Sequence, residues 1–157
     1  MIRRALGRLI EWLISYEHEV GVRLDEGACM PFRKYGGDAG YDLVCSRDVG
    51  LQPGATYDVP CGVRIDPRDR IWFEIKARSS TMKVRGLEVV DAVIDRDYRG
   101  ELKAVVHNPT GEHKEIRAGD RVVQVIPHRL IPVRFALAAV LSESPRGSSG
   151  FGSTGGL

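Results

Sequence analysis

Short runs of alternating apolar and polar residues dominate the chain from Val20 onward, and such alternation predicts β-strands. The clearest run is Arg70 to Lys76, in which Ile71, Phe73 and Ile75 share one face. The same pattern predicts further strands at Val20 to Leu24, Tyr41 to Ser46, Thr56 to Val59, Gly62 to Ile65, Leu87 to Ile94, Glu101 to His107, Arg121 to Ile126 and Val133 to Ala138.

The spacing of these strands indicates the fold class. No helical stretch long enough for a βαβ crossover lies between them, which disfavours a parallel doubly wound sheet. Many short strands at regular spacing are typical of a sandwich, jelly roll or barrel. One all-β domain is therefore expected.

Residues 1–18 depart from this pattern because their apolar side chains recur at helical spacing among arginines. They predict an amphipathic helix with apolar positions at Ile2, Leu6, Leu9, Ile10, Leu13 and Ile14. The segment is too short and too charged to span a bilayer, and it lacks the apolar region and cleavage site of a signal peptide. We expect it to cover apolar surface of its own protein; a membrane surface or a partner protein is the alternative.

Residues 142–157, SESPRGSSGFGSTGGL, contain almost nothing that could be buried except Phe151. Such a Gly/Ser-rich tail is expected to be mobile without a ligand. A disordered tail would explain glycine and serine alone, but Arg146 and Phe151 argue for a function. The chain thus divides into an N-terminal helix over residues 1–18, a β domain over residues 19–141 and a flexible tail over residues 142–157.

The composition of the chain limits which partners and which cellular compartment are expected. Lys and Arg number 23 against 21 Asp and Glu, and the net charge of +2 gives no reason to expect nucleic acid as a partner. Cys29, Cys45 and Cys61 include no CxxC pair, which argues against a disulfide framework and a thiolate zinc site. The four histidines lack metal-binding spacing. A reducing, cytoplasmic location is expected.

Five separated segments carry candidate chemistry. DAGYDL at Asp38 to Leu43 places two carboxylates around a glycine bend, and ARSS at Ala77 to Ser80 sets a guanidinium beside two hydroxyls, which suits phosphate. VIDRDYRGE at Val93 to Glu101 puts two aspartates and a tyrosine at the turn of an expected hairpin, which suits a general base beside a polyphosphate. RVVQVIP at Arg121 to Pro127 exposes one amide, and RGSSGFGSTG at Arg146 to Gly155 allows close approach to phosphate.

Each of these segments also has an ordinary structural explanation. The first is compatible with a turn into a strand, and the second with a capped turn before a short helix at Thr81 to Val84. Gln124 in the fourth could make a structural hydrogen bond. The fifth resembles a P-loop only superficially, because it lacks the lysine and the following helix.

Together, the five segments resemble, in order and close to wording, the five motifs of trimeric dUTPases. The resemblance extends from about Glu19 to the C-terminus. It implies a jelly-roll protomer in a homotrimer whose subunits share each active site. It also implies Mg²⁺-dependent hydrolysis of dUTP to dUMP and pyrophosphate, which would limit uracil in DNA and supply dUMP for thymidylate synthesis.

The resemblance also assigns roles to positions. Asp95 would activate the water that attacks the α-phosphorus, and Tyr98 would pack on the deoxyribose and exclude a 2′-hydroxyl. The backbone at Val93, Ile94 and Lys103 would read the uracil edge. Asp42 would reach Mg²⁺ through a water, as Mg²⁺ commonly retains its waters.

The implied phosphate contacts come from the second, fourth and fifth segments. They are Arg78, Ser79, Ser80, Gln124 and Arg146. Phe151 would stack on uracil, with Gly152, Ser153 and Thr154 completing the tail's contribution. Ordering of the tail over the ligand would close the site and expel water.

Two departures from the family pattern accompany the resemblance: the N-terminal helix, and Ala92 after Asp91 where a glycine usually precedes the VID triplet. A Cβ at Ala92 is expected to restrict φ there and to crowd the base. The related dCTP deaminases place a catalytic glutamate where this chain has Val105, which cannot shuttle a proton. A dUTP-sensing binding protein that docks through its N-terminal helix, and a purely structural jelly roll, are the alternatives from other classes.

Overall fold

The computed structural model describes residues 17–148, which contain ten strands and one short helix. The strands are β1 Val20–Leu24, β2 Tyr41–Val44, β3 Val49–Leu51, β4 Thr56–Pro67, β5 Ile71–Ala77, β6 Glu88–Val90, β7 Ala92–Ile94, β8 Leu102–His107, β9 Lys114–Ile116 and β10 Arg121–Arg129, and the helix α1 is Ser79–Arg85. The all-β prediction is confirmed.

Two four-stranded antiparallel sheets form the body of the domain. Sheet 1 has the order β1-β4-β8-β6, sheet 2 has the order β2-β10-β5-β7, and β3 pairs with β9 in a small third sheet. Alternate side chains of both large sheets enter one continuous apolar cluster, in which Val63 and Leu102 of sheet 1 and Ile75 and Val123 of sheet 2 are fully buried. Burial of one face of each strand explains the alternation seen in the sequence.

Strand β4 is longer than expected, because the predicted runs Thr56 to Val59 and Gly62 to Ile65 belong to one strand. The register with β8 shifts between Pro60 and Val63, and Gly62 has a φ of 64° at this irregularity. A Cβ at Gly62 would lie 2.7 Å from the Cβ of Ala28, so glycine is required both for conformation and for space.

The predicted strand Leu87 to Ile94 is interrupted at Asp91. β6 ends at Val90 in sheet 1, and β7 begins at Ala92 in sheet 2, so Asp91 alone carries the chain from one sheet to the other. Ala92 packs against the core, whereas Val93 is 64% exposed.

The predicted strand Val133 to Ala138 is wrong for the single chain. The segment forms no strand, and all of its residues are exposed, with Phe135 96% exposed. Its apolar side chains satisfy the strand pattern, but no strand within residues 17–148 supplies hydrogen bonds or a surface to cover them.

The predicted helix at residues 1–18 lies almost entirely outside the described residues, as does the tail beyond residue 148. Residues 17–148 contain no helix long and apolar enough to cross a membrane. Between the ends, α1 includes the short helix considered at Thr81 to Val84, and Gly86 ends it with a φ of 66°.

Candidate active site

One group of polar side chains lies where β2, β5 and β10 meet. Arg78 follows β5 directly, and its Nε donates to Oδ1 of Asp42 on β2 at 2.7 Å. Arg121, at the start of β10, donates from Nη1 to the other carboxylate oxygen of Asp42 at 3.2 Å. Arg78 Nη1 also donates to Ser80 Oγ at 3.3 Å. With Gln124, these residues form what we call the cationic cluster: Asp42, Arg78, Ser80, Arg121 and Gln124.

The positions of the cluster follow from strand register. Gln124 is the cross-strand partner of Asp42 on one side and of Lys76 on the other, so all three stand in one row across sheet 2. Gly40 makes room for the Gln124 side chain, because a Cβ there would lie 2.3 Å from Oε1. Gln124 Nε2 donates to the carbonyl of Ala77 at 3.2 Å. The glycine of DAGYDL therefore serves close packing as well as the bend.

The electrostatics of the cluster favour an anion. Two guanidinium groups share the single carboxylate of Asp42, which leaves a net positive charge. The Asp42 and Arg78 side chains are only 18% and 22% exposed, whereas Arg121 is 44% exposed. Arginine forks and hydroxyl donors in a partly buried setting are well suited to phosphate oxygens.

The start of α1 adds to this arrangement. Arg78 is the N-cap residue, and its side chain makes no capping hydrogen bond because a guanidinium has no acceptor atom; it donates to Asp42 instead. Ser79 and Ser80 occupy the first turn, where amide groups lack helical partners. Thr81, by contrast, is buried and donates its hydroxyl to the carbonyl of Val122 at 2.6 Å. Thr81 therefore anchors the helix, while the two serines remain near the surface.

The second group of candidate residues lies on the connection between β7 and β8, which we call the Asp95 loop (residues 95–101). The expected hairpin is wrong, because β7 pairs with β5 in sheet 2 whereas β8 pairs with β4 and β6 in sheet 1. The turn closes with a hydrogen bond from the Tyr98 amide to the Asp95 carbonyl at 3.0 Å. Asp95 is exposed and makes no ion pair within residues 17–148, so its carboxylate is open to a ligand or a water molecule.

Tyr98 is held beside this turn by its neighbours. Its hydroxyl donates to the carbonyl of Glu101 at 3.1 Å, and the ring lies against Gly100, where a Cβ would be 2.1 Å from the hydroxyl oxygen. The ring remains 42% exposed. Glu101 in turn accepts from the amide of Gly62 at 2.9 Å, which ties the loop to the irregularity in β4.

The backbone next to the Asp95 loop has free hydrogen-bonding edges in the described chain. β7 is the edge strand of sheet 2 and pairs on one side only, with β5. On β8, the pairs with β6 stop at Val105, so the same edge is uncovered at Lys103. The Lys103 side chain points elsewhere, since its Nζ lies 3.3 Å from Asp58. Unpaired strand edges can bind the polar edge of a planar ligand.

Ala92 does not crowd this edge, contrary to the expectation from the sequence. It pairs with Ile75 in regular strand conformation, and its side chain packs against the core rather than toward the uncovered edge. Asp91 contacts Lys76 on β5, with Nζ and Oδ2 2.5 Å apart. The hydrogen bonds that Lys76 donates to Asp91 and, next in effect, to Glu74 raise the pKa of Lys76.

A single chain does not bring the two groups together. Ile94 pairs with Phe73, so Asp95, the next residue, lies beside the start of β5. Arg78 lies just beyond the other end of β5. Six residues of strand separate these two positions, or about 20 Å. Such a distance is too long for one nucleotide phosphate to contact both an attacking water at Asp95 and the guanidinium of Arg78.

The structure also shows functional candidates that sequence pattern did not assign. Arg121 had no role of its own, yet it completes the charge of the cluster. The alternation along β10 could not show that Arg121 lies beside Asp42, because the register with β2 shifts between Arg121 and Val123.

Of the candidate residues in the tail, Arg146 is exposed. The others, Phe151, Gly152, Ser153 and Thr154, lie outside the described residues.

These features define an all-β protein with a charged cluster suited to phosphate and an exposed aspartate on a separate loop. Comparison with known proteins agrees. A model of the dUTPase family matches residues 26–155. Two curated relatives are deoxyuridine 5'-triphosphate nucleotidohydrolases: one from Paramecium bursaria Chlorella virus 1 is 37% identical, and one from Zymomonas mobilis is 38% identical; each match covers 85% of this chain and 94% of the relative.

Solved structures share the fold at lower identity. A mutant dUTPase of Staphylococcus bacteriophage 80alpha with dUpNHpp superimposes with a TM-score of 0.82 at 22% identity, covering 87% of this chain and 98% of the other. A dUTPase of phage phi11 of S. aureus, described as showing coordination of a structural Mg(II) ion, has a TM-score of 0.74 at 21% identity, covering 80% and 99%. The chain belongs to the dUTPase family.

Proposed function

We propose that this chain hydrolyses dUTP to dUMP and pyrophosphate, which limits uracil incorporation into DNA and supplies dUMP for thymidylate synthesis. The proposal depends on the presence, in the same protein, of two features: the cationic cluster around Arg78, and a loop that exposes the Asp95 carboxylate beside Tyr98. Family membership, with relatives named as deoxyuridine 5'-triphosphate nucleotidohydrolases, supports the same substrate.

The cationic cluster would hold the phosphates. Arg78 supplies the fork, while Ser79, Ser80 and Gln124 supply neutral donors around it. Phosphate oxygens compete with Asp42 for the guanidinium groups, and two cations share that one carboxylate, so positive charge remains for the ligand. Arg146 adds a further charge from the tail. Transfer at phosphorus depends mainly on this positioning and charge stabilisation.

Asp95 would act as the general base. Water attacks the α-phosphorus, its proton moves to the Asp95 carboxylate, and the bond from the α-phosphorus to the bridging oxygen breaks as pyrophosphate leaves. An exposed carboxylate that makes no ion pair within residues 17–148 suits this task, because it can accept a hydrogen bond from the attacking water.

Selection of deoxyuridine would come from the Asp95 loop and its flanks. Tyr98 offers its exposed face to the deoxyribose, and the uncovered strand edges at Val93, Ile94 and Lys103 offer backbone groups to the uracil edge. Backbone donors at fixed spacing leave little room for the methyl group of thymine. The tail would add Phe151, Gly152, Ser153 and Thr154 as a lid.

The residues present fit a magnesium ion held through water. The described residues contain no cluster of three metal-binding side chains, and Asp42 is the one carboxylate of the cationic cluster. Mg²⁺ commonly takes one carboxylate, several waters and substrate phosphates, so a water-mediated contact to Asp42 is chemically suitable. The ion would supply charge neutralisation for the triphosphate when bound.

We also propose a homotrimer with shared sites. The separation of about 20 Å along β5 supports this proposal, because Asp95 and Arg78 could contact the same nucleotide phosphate if different subunits supplied them. The apolar segment over residues 131–141 supports assembly, because Phe135 and Leu137 are almost fully exposed. A groove of about 390 Å³ lined by Val20, Ile71 and Phe73 is suited to receive such side chains from a neighbour.

The division into an N-terminal extension (residues 1–18), a catalytic β domain (residues 19–141) and a lid (residues 142–157) belongs to the same proposal. A cytoplasmic location is also part of this proposal, because three cysteines that are all free thiols suit a reducing compartment. Burial raises the pKa of the Cys61 thiol to about 12, and this keeps it protonated within the core.

The test is pyrophosphate release from dUTP, dTTP, dCTP and UTP under matched conditions. We expect rapid release from dUTP alone. Equal rates on all four nucleotides would exclude the proposed uracil and deoxyribose contacts, and sustained ammonia release from dCTP would favour a deaminase instead.

A further inference from the structure

Three charged side chains on the outer face of sheet 2 form an ion-pair clamp: Glu74 and Lys76 on β5, and Asp91 before β7. Lys76 Nζ lies 2.5 Å from Asp91 Oδ2 and 2.9 Å from Glu74 Oε1. The three side chains are 24% to 53% exposed. One ammonium therefore serves two carboxylates as their shared counter-ion at the surface.

The clamp lies where the fold has little other support. Asp91 alone links β6 of sheet 1 to β7 of sheet 2. β7 has only three residues, and it is an edge strand whose cross-strand pairs are Phe73 with Ile94, Glu74 with Val93 and Ile75 with Ala92. A strand this short, paired on one side, opens readily by local fluctuation.

Lys76 also stands in a row of cross-strand neighbours. Its register partner on β10 is Gln124, whose own partner on β2 is Asp42. The row thus runs across sheet 2 to the crossover at Asp91. Lys76 is the member of this row that contacts the crossover, through its ion pair with Asp91.

We propose that Lys76 is a positioning residue for substrate binding, which acts through Asp91 to hold β7 so that the backbone of Val93 and Ile94 keeps the alignment needed by the base. This inference rests on the proposed function. Lys76 does not touch the substrate; it determines how often the uncovered edge of β7 is in the binding geometry. Loss of that alignment lowers apparent affinity in proportion to the competent fraction.

The charges predict a graded series of effects. Lys76→Met leaves Glu74 and Asp91 without their shared counter-ion, so their repulsion adds to the loss of the contact. Asp91→Asn removes one contact but leaves the pair between Lys76 and Glu74 in place. Lys76→Arg retains the positive charge and both partners. The order of disturbance is therefore Lys76→Met, then Asp91→Asn, then Lys76→Arg.

The experiment measures steady-state kinetics with dUTP and amide hydrogen exchange of the ligand-free protein at residues 92–94. For Lys76→Met we expect KM to rise about two- to fivefold, the range that an exposed ion pair supports. kcat should change less than twofold, and exchange at residues 92–94 should accelerate, because the edge strand is open for a larger fraction of the time. Asp91→Asn should show a smaller effect, and Lys76→Arg should restore both readouts.

The matched control is Lys114→Met, which removes another exposed pair, Lys114 with Glu112 at 2.9 Å, from the small sheet of β3 and β9. Its KM and its exchange at residues 92–94 should equal those of the wild type. Unchanged exchange in Lys76→Met, an equal effect of Lys114→Met, or a fall in kcat at constant KM would each overturn the proposal. Absence of dUTP hydrolysis in the wild type would refute the proposed function, while exchange would still decide whether the clamp exists.

Discussion

Replacing Gly100 by alanine should displace Tyr98 while leaving the domain folded. An added Cβ would lie 2.1 Å from the tyrosine hydroxyl oxygen, 2.3 Å from Cζ and 2.7 Å from Cε2. No real contact is this short, so the ring must move. Gly100 does not have a left-handed φ, so alanine meets no backbone strain. Because the ring is 42% exposed, it can swing into solvent.

The expected cost to stability is small. The displaced ring loses its hydrogen bond to the carbonyl of Glu101, which is worth about 0.5–1.5 kcal/mol net. Replacement of glycine by alanine recovers about 0.4–1 kcal/mol through the unfolded chain. The free energy of unfolding should therefore change by less than about 1 kcal/mol.

The expected cost to function is larger. Contacts of an aromatic ring with a partner contribute about 0.5–1.5 kcal/mol beyond buried area, which corresponds to roughly a two- to tenfold loss of kcat/KM for dUTP. Discrimination against UTP should also weaken, since the displaced ring no longer packs where a 2′-hydroxyl would lie.

The assay compares kcat/KM for dUTP and UTP, together with thermal unfolding, in Gly100→Ala and in Gly111→Ala. Gly111 is the control because an added Cβ there meets no atom within 4 Å and its φ is not left-handed. Wild-type kinetics in Gly100→Ala would refute the role of Tyr98. A large loss of stability in Gly100→Ala alone would show that the ring supports the fold instead of the ligand.

Three further outcomes are expected. Asp95→Asn should retain nucleotide binding and lose about 10²- to 10⁴-fold in kcat, the range for a general base; a loss below about tenfold in single-turnover measurements would point to another base, such as Asp97. Deletion of residues 145–157 should abolish most activity with little change in the melting temperature or the oligomer mass; full activity, or loss of assembly by sedimentation, would contradict the role as a lid. Hydrogen bonding with Arg85 lowers the pKa of Asp120 from 3.8. The contribution of ionised Asp120 to folding stability is therefore complete above about pH 4 and is lost as the pH falls through the lowered pKa. The difference in unfolding free energy between wild type and Asp120→Asn should be constant from about pH 5 to 8 and shrink in acid.

The alternation of apolar and polar residues predicted most strands, because a strand that is buried on one face has an apolar residue at every second position. β1 was predicted with the bounds that the structure shows, Val20–Leu24. β3 and β9 were missed, since strands of three residues are too short to display a period. Val133 to Ala138 has the pattern of a strand, but a pattern shows only that a segment is able to pair, and no strand within residues 17–148 pairs with it.

The candidate site was predicted as residue types and not as an arrangement. The five motifs placed the Arg78 and Asp95 groups in separate segments, but linear order cannot show that register puts them at opposite ends of β5. The same limit explains the wrong expectation of a hairpin at VIDRDYRGE. Which sheet each strand joins is decided by long-range pairing, about which nearby residues carry no information.

The one-residue crossover at Asp91 has a consequence for how this chain can change in evolution. Side chains on a strand alternate with a period of two, so one inserted or deleted residue at the crossover would turn Ala92 and Ile94 outward and Val93 inward. A substitution there, in contrast, leaves the alternation of β7 unchanged. Homologues should therefore vary in composition at this link while keeping its length fixed.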